Sequence, residues 1–238
     1  MISIDKALPL PNLSSLNSSQ IAIKVNPEGG FFAYLDFFQS HTLAHKYVKS
    51  GIDRLTQDFP KTNLSFSGWV GFFGYEFLAS HLGLNLQAKR DLNIPDGWFG
   101  RPQTIIHLLP NQTKIESSLA QRASEIAKTL EFSTIHNLNK VEFHTSSQKC
   151  NLDFQEYEKI FSQAREAILD GESYQIKISQ RHEAKVKVDP LLAFAKLHLA
   201  NPAPEAFLLQ TEEFSLVSCS PEIVIDKKDR HIKTRPIG

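Results

Sequence analysis

Apolar residues recur at helical spacing in some stretches and alternate with polar ones in others. Phe154, Tyr157, Phe161, Ala164 and Ile168 form one stripe, the mark of an amphipathic helix. Asp153 with Glu156 three places on gives that helix a capping-box start, and Asp170-Gly171 stops it, because glycine accepts the left-handed turn after a helix. A second helix is capped by Asp189 with Pro190 at its first position and ends before Asn201-Pro202. Between them the alternation is strict. Tyr174, Ile176 and Ile178 face one way and Gln175, Lys177, Ser179 and Arg181 the other, which predicts a strand. Three short strands are expected at 206–210, 214–218 and 222–226. The first two are joined by Thr211-Glu212-Glu213, and the last turns at 227–229 into a further strand at 230–234.

The earlier residues mix short apolar runs with turn signals. Gly29-Gly30 precedes FFAYLDFF (31–38), which reads as a strand. Residues 68–77 form another aromatic run with glycine at every third place, and TIIHLL (104–109) a third strand. Glycines inside such runs mark bulges or close backbone approach. Residues 117–130 carry Leu119, Ala123, Ile126, Ala127 and Leu130 on one stripe, which predicts a helix. From 133 to 149 the chain turns polar, with a short possible strand at Val141-Glu142-Phe143. A boundary is placed there, giving domains 1–150 and 151–238. Antiparallel hairpins grouped between helices argue an α+β fold, antiparallel sheets with flanking helices, rather than alternating βα units.

Composition narrows the class. The chain has 238 residues, of which 41% are hydrophobic and 17 are Phe, enough for a sizeable core. Its 26 Lys and Arg balance 26 Asp and Glu, so no overall field draws in nucleic acid or an acidic membrane. Two cysteines, Cys150 and Cys219, make no disulfide framework and suit a reducing compartment. No stretch reaches the ~18 apolar residues of a membrane span, and the start lacks the pattern of a secretory signal. A cytoplasmic protein is expected.

Several short patterns carry no chemistry. His182-Glu183 lacks the second His of a zinc-protease helix, and no His pairs with a Cys at metal-finger spacing. Gly68, Gly71 and Gly74 match neither a dinucleotide fingerprint nor a phosphate loop. Ser218-Cys219-Ser220 lacks the glycines of a nucleophile elbow. Lys227, Lys228, Arg230, Lys233 and Arg235 crowd a hairpin end, offset by Asp226 and Asp229, as a solvated charged tip would be.

Taken together, separate stretches point to one family. Residues 167–181 (AILDGESYQIKISQR), 201–204 (NPAP), 218–222 (SCSPE) and 234–238 (TRPIG) resemble, in order and spacing, the conserved segments of the chorismate-utilising enzymes. In the first half, 68–75 (GWVGFFGY) and 94–100 (IPDGWFG) are similar to segments of aminodeoxychorismate synthase component I, the p-aminobenzoate branch of folate synthesis. Anthranilate synthase component I is the close sibling.

That resemblance implies a synthase that aminates chorismate to 4-amino-4-deoxychorismate, with Mg2+ and a glutaminase partner (component II) supplying ammonia. It also implies that these residues match the N-terminal half of such an enzyme. The family's magnesium-binding glutamates and most carboxylate-holding groups lie in its other half, so a large exposed apolar patch and no activity of the chain alone are expected. The alternatives are a non-catalytic small-molecule-binding or split-complex module, or the anthranilate branch. Glu222, from SPE, would be the catalytic acid–base group; without the resemblance an exposed Glu there reads first as a capping or hairpin-end carboxylate. Thr234 and Gly238 fall at substrate-binding positions. Gly238 stands where the aminodeoxychorismate enzymes often carry a Lys, so it offers no amine. Lys177 stands where the family has Asn. Pro204 and Ala206 fall in the family's tryptophan pocket, where Glu205-Ala206 replaces the usual Tyr-Met, removing an aromatic wall and adding a charge.

Overall fold

A computed structural model describes residues 1–57, 61–84, 86, 90–133, 138 and 146–236. Along the chain come β1 (Ile2–Ile4), a 3-10 helix (Leu10–Leu16), β2 (Ile21–Val25) and β3 (Phe31–Leu43). A short 3-10 turn (His45–Tyr47) then leads into α1 (Val48–Thr56), followed by β4 (Val70–Phe73), α2 (Tyr75–His81), β5 (Gly97–Leu108), β6 (Thr113–Ser117) and α3 (Arg122–Glu131). Next are β7 (Ser146–Cys150), α4 (Phe154–Leu169), β8 (His182–Lys185) and α5 (Pro190–Ala200). The chain continues through β9 (Glu205–Gln210), β10 (Ser215–Ser220), β11 (Ile223–Lys228) and β12 (His231–Arg235). The fold is α+β, with antiparallel pairing throughout the described ladders.

One eight-stranded sheet runs β1-β6-β5-β3-β2-β9-β10, with β4 added along β5. Its two faces bury different side chains, because successive residues of a strand point to opposite sides. Ile23, Leu35, Ile106, Ile115 and Leu208 face one layer, where they meet Leu13, Ile126 and Leu130, and Phe194 of α5. Ala22, Tyr34, Ile105 and Leu209 face the other, packed by Phe66, Phe72 and Phe214. Both faces are covered, so the sheet is the core of the molecule's first compact unit.

That unit comprises Met1–Leu138 and Pro190–Pro221, and a second comprises Asn139–Asp189 and Glu222–Gly238. The division does not follow a single cut near residue 150. β9 and β10 extend the main sheet by pairing onto β2, and α5 fills its core. Sequence distance is no obstacle, because loop-closure entropy grows only slowly with length.

The second unit contains the β7–β8 ladder, α4 and the β11–β12 hairpin. α4 carries the capping box read from the sequence: the Asp153 side chain accepts from the Glu156 N–H at 2.8 Å, and the Glu156 side chain accepts from the Asp153 N–H at 2.9 Å. Gly171 ends it at φ +76°. Its apolar stripe nevertheless faces solvent, and none of its residues is buried. Phe161 is 51% exposed, Tyr174 92% and Val224 83%. Among its described residues this unit buries no side chain.

Three sequence expectations change. Residues 174–181 form no strand; alternation suggests a strand but does not make one without a ladder, and the described chain pairs only 182–185 there. The run 68–77 is a strand only to Phe73, after which Gly74 leads into α2. The stripe beginning at 117 starts as a helix only at Arg122, since Thr113–Ser117 pairs as β6. α1 was not foreseen; its Gly51 packs against Leu43 and Phe77, each 3.2 Å from where a Cβ would stand. The strand expected at 141–143 lies outside the described residues.

Candidate functional site

A cleft forms where β4 folds over the second face of the sheet. Ala22 stands opposite both Tyr34 and Leu209, which fixes β2, β3 and β9 side by side beneath it. β4 pairs with β5 from Val70 opposite Gly100 to Phe73 opposite Gly97, and Phe72 meets Phe214 edge-on at 6.0 Å. The approach is close. A Cβ on Gly71 would sit 1.9 Å from the Trp98 carbonyl oxygen, so only glycine permits the pairing. The result is a cleft of about 210 Å³ walled by Tyr34, Val70, Phe72, Pro204 and Ala206, with Lys24 and Glu205 also lining it. Its walls are apolar and aromatic, while Lys24 and Glu205 are solvent-exposed charges of opposite sign. This mix of apolar walls and few polar groups is that of small-molecule sites. Burial pushes the Tyr34 phenol up to about 12, so it keeps its proton and can donate.

A wider hollow of about 530 Å³ lies beside α1, lined by Thr56, Lys61, Thr62, Ser65 and Ser67 among others. None of its lining residues is buried, so it presents solvated hydroxyls rather than a recognition surface.

Buried polar groups brace the sheet around the cleft. Asp96, just before β5, accepts from the His45 backbone N–H at 2.7 Å, contacts His45 Nδ1 at 2.7 Å and pairs with Arg90. Burial alone would raise its carboxyl, but the His45 backbone N–H, Arg90 and the His45 side chain outweigh that and hold it below the usual carboxylate range. Asp36, in the left-handed region at φ +53°, accepts from Arg122 Nε at 2.9 Å and from a second guanidinium nitrogen at 3.1 Å. Glu116, buried on β6, lies 2.6 Å from His107 Nε2 and accepts from the Ser65 backbone N–H at 2.7 Å.

Of the residues singled out from sequence, Pro204 and Ala206 both line the cleft, although the Ala206 side chain packs on the opposite face of the sheet with Leu208. Glu222 and Thr234 lie in the second unit, Glu222 immediately before β11 and Thr234 within β12, and both are exposed. The ladder sets Ile223 opposite Arg235, so Glu222 and Thr234 flank the same end of one hairpin. Gly238 lies outside the described residues. Among the described residues no three His, Cys, Asp or Glu side chains gather to hold a metal ion. Tyr34, Val70 and Phe72 were not singled out from sequence; their aromatic runs were visible, but the register that brings them together was not.

Comparison with known proteins agrees with this architecture. The profile of the chorismate binding enzyme family matches residues 18–238. Aminodeoxychorismate synthase component 1 of Klebsiella aerogenes is 30% identical over 189 residues, covering 76% of this chain and 40% of the relative. The protein of the same name from Salmonella typhimurium is 29% identical over 180 residues, covering 75% and 39%. Anthranilate synthase alpha subunit 1, chloroplastic, of Oryza sativa subsp. indica is 28% identical over 200 residues, covering 72% and 34%. The chain thus spans about a third to two fifths of the length of these relatives. Anthranilate synthase component I from Streptococcus pneumoniae shares the fold, with a TM-score of 0.61 at 16% identity, over 89% of this chain and 50% of that one. The chain belongs to the chorismate binding enzyme family.

Proposed function

We propose that this chain is part of a synthase that aminates chorismate to 4-amino-4-deoxychorismate, in the p-aminobenzoate branch of folate synthesis. The observation that carries this reading is the hairpin that holds Glu222 and Thr234 at one end, with both matching the SPE and TRPI segments of the family. In the reaction, ammonia enters the chorismate ring as a hydroxyl leaves as water. A carboxylate beside the ring serves this exchange by giving the departing hydroxyl a proton and taking one from the entering amine. Glu222 has that role here, and Thr234 a substrate-binding one, as does Gly238. In the whole enzyme a glutaminase subunit supplies the ammonia. When bound, Mg2+ would supply charge neutralisation at the substrate. Two free cysteines suit a cytoplasmic setting.

The chain acts together with further polypeptide. α4, the hairpin and residues 174–176 offer Phe154, Phe161, Leu169, Tyr174, Val224 and Ile232 to solvent, apolar side chains that suit an interface with a partner. Glu222, exposed as it is, has no enclosed ring site around it until that surface is covered.

The cleft holds a small aromatic molecule. Apolar walls suit a flat ring, while Lys24 and Glu205 give opposite charges for a carboxylate and an ammonium. Titration of the chain with L-tryptophan tests this part. Saturable binding that is lost on Phe72→Ala supports it, and a flat titration overturns it for that ligand. The catalytic part is tested by product. Non-fluorescent 4-amino-4-deoxychorismate from the assembled enzyme supports it, and fluorescent anthranilate assigns the sibling branch instead.

A further inference from the structure

We propose that Glu116 is a positioning residue for the cleft, a buried carboxylate that fastens the segment before β4 to the sheet and so sets where that strand stands over Tyr34. The proposal rests on the reading of the cleft as a small-molecule site.

The ladder registers place Glu116 with unusual clarity. Ile105 stands opposite both Tyr34 and Glu116, and Tyr34 stands opposite Ala22. These residues therefore form one row across adjacent strands, on the face that carries the cleft. His107 is two residues beyond Ile105 and lies opposite Phe32, in the neighbouring row. An acid in an apolar row is costly unless it is paired. Glu116, 4% exposed, has one hydrogen-bonded oxygen and one that only abuts a ring nitrogen without a hydrogen bond. His107 Nε2 lies 2.6 Å from one carboxylate oxygen, and the Ser65 backbone N–H donates to the other at 2.7 Å.

The pairing reaches the cleft through rings. Phe66 follows Ser65 and packs on Tyr34 at 5.5 Å between centroids, while His107 packs edge-on to Phe32 at 5.1 Å. Tyr34 walls the cleft together with Val70 and Phe72, and those two follow Phe66 within the same short stretch. Fixing the Ser65 amide thus fixes both a wall ring and the start of the strand that covers it. The arrangement is not a nucleophile relay, although the Ser65 hydroxyl lies 3.4 Å from the same His107 nitrogen. A relay needs the acid and the hydroxyl on different ring nitrogens, and here both meet Nε2.

The test compares Glu116→Ala with Glu116→Gln by amide hydrogen exchange and by L-tryptophan titration of the full chain. Loss of a hydrogen bond to a buried charged group is expected to speed exchange at residues 64–69 about tenfold in Glu116→Ala. Exchange at 206–209, on the opposite wall, stays at the wild-type rate. L-tryptophan affinity falls by a similar factor. Glu116→Gln, whose amide oxygen still accepts from Ser65, restores both. Wild-type exchange at 64–69 in Glu116→Ala overturns the proposal, as does equal loosening at 206–209, which is the signature of general destabilisation. Unchanged affinity despite local loosening also overturns it. If wild-type protein binds no L-tryptophan, the reading of the cleft fails for that ligand, and the exchange pattern with its rescue by glutamine decides the fastening role alone.

Discussion

Ile23 of β2 lies directly opposite Leu208 of β9, and each is 1% exposed. That single pairing joins the start of the chain to the strand after the NPAP turn. It places Pro204 and Ala206 beside β2, and it makes α5 and β9 part of the first unit's core rather than of a separate later domain.

The pairing predicts an unequal response to truncation. Leu208→Ala removes buried methyl groups from a packed sheet face and is expected to destabilise the first unit by about 2–5 kcal/mol. Phe161→Ala, on the exposed stripe of α4, changes stability by no more than about 0.5 kcal/mol in the same chain. Urea unfolding of the two variants checks the contrast. Equal losses would mean that the stripe is packed in solution.

Asp96 gives an acid-sensitive brace. Its carboxyl is held below the ordinary 3.8, so the folded state binds the proton less readily than the unfolded one. Its contribution is fully present above the unfolded value and is lost as pH falls through the lower, folded one. Asp96→Asn is expected to cost about 1–3 kcal/mol at neutral pH. The gap from wild type narrows as pH drops below 3.8. Unfolding curves at a series of acidic pH values read that narrowing directly.

His198 acts at milder pH. Its ring stands 5.1 Å from Phe31 and 6.1 Å from Phe194, and its buried Nδ1 has no hydrogen-bond partner among the described residues. Burial lowers its pKa from 6.5, so the unfolded state takes up the proton first. Stability is full above 6.5 and declines as pH falls below it. His198→Leu removes part of that decline. His41, lowered chiefly by burial and then by Arg54, contributes in the same direction. Melting temperatures of both forms between pH 7.5 and pH 5, on the order of the window around an ordinary His, check the difference.

Gly71 is where the cleft is most sensitive to a single atom. A Cβ there would lie 1.9 Å from the Trp98 carbonyl, so Gly71→Ala must push β4 off β5. Loss of L-tryptophan binding, together with faster amide exchange along Val70–Phe73, is the expected outcome. An alanine variant that binds as wild type would show that β4 does not form the cleft's cover.

How far the chain could be read in advance depended on whether a signal was local. The Asp153–Glu156 cap, the Gly171 stop and the Asp189-Pro190 start of α5 are set by neighbours a few places apart, and all appear in the structure. Residues 174–181 carried an equally clear alternation, yet a strand exists only within a ladder, and beyond the Asn151–Arg181 contact the described chain supplies none there. α2 was masked because Tyr75 and Phe77 continue the aromatic run of β4. The cleft was half legible. Family resemblance marked Pro204 and Ala206, whereas Tyr34 and Phe72 reach it through strand register, which depends on distant pairing. Glu116 gave no sign at all, since a single acid in β6 looks like any surface carboxylate until its neighbours are in place.

The central claim is that this chain carries part of a chorismate-aminating site built around Glu222 and completed by further polypeptide. The most direct test is chorismate consumption with ammonium and Mg2+. It should be run on the chain alone and on the chain mixed with a polypeptide matching the remaining length of the Salmonella typhimurium relative. The account predicts that the chain alone leaves chorismate intact. The mixture forms 4-amino-4-deoxychorismate, and Glu222→Gln in this chain abolishes that product. Turnover by the chain alone, or an undiminished rate from the Glu222→Gln mixture, would contradict it.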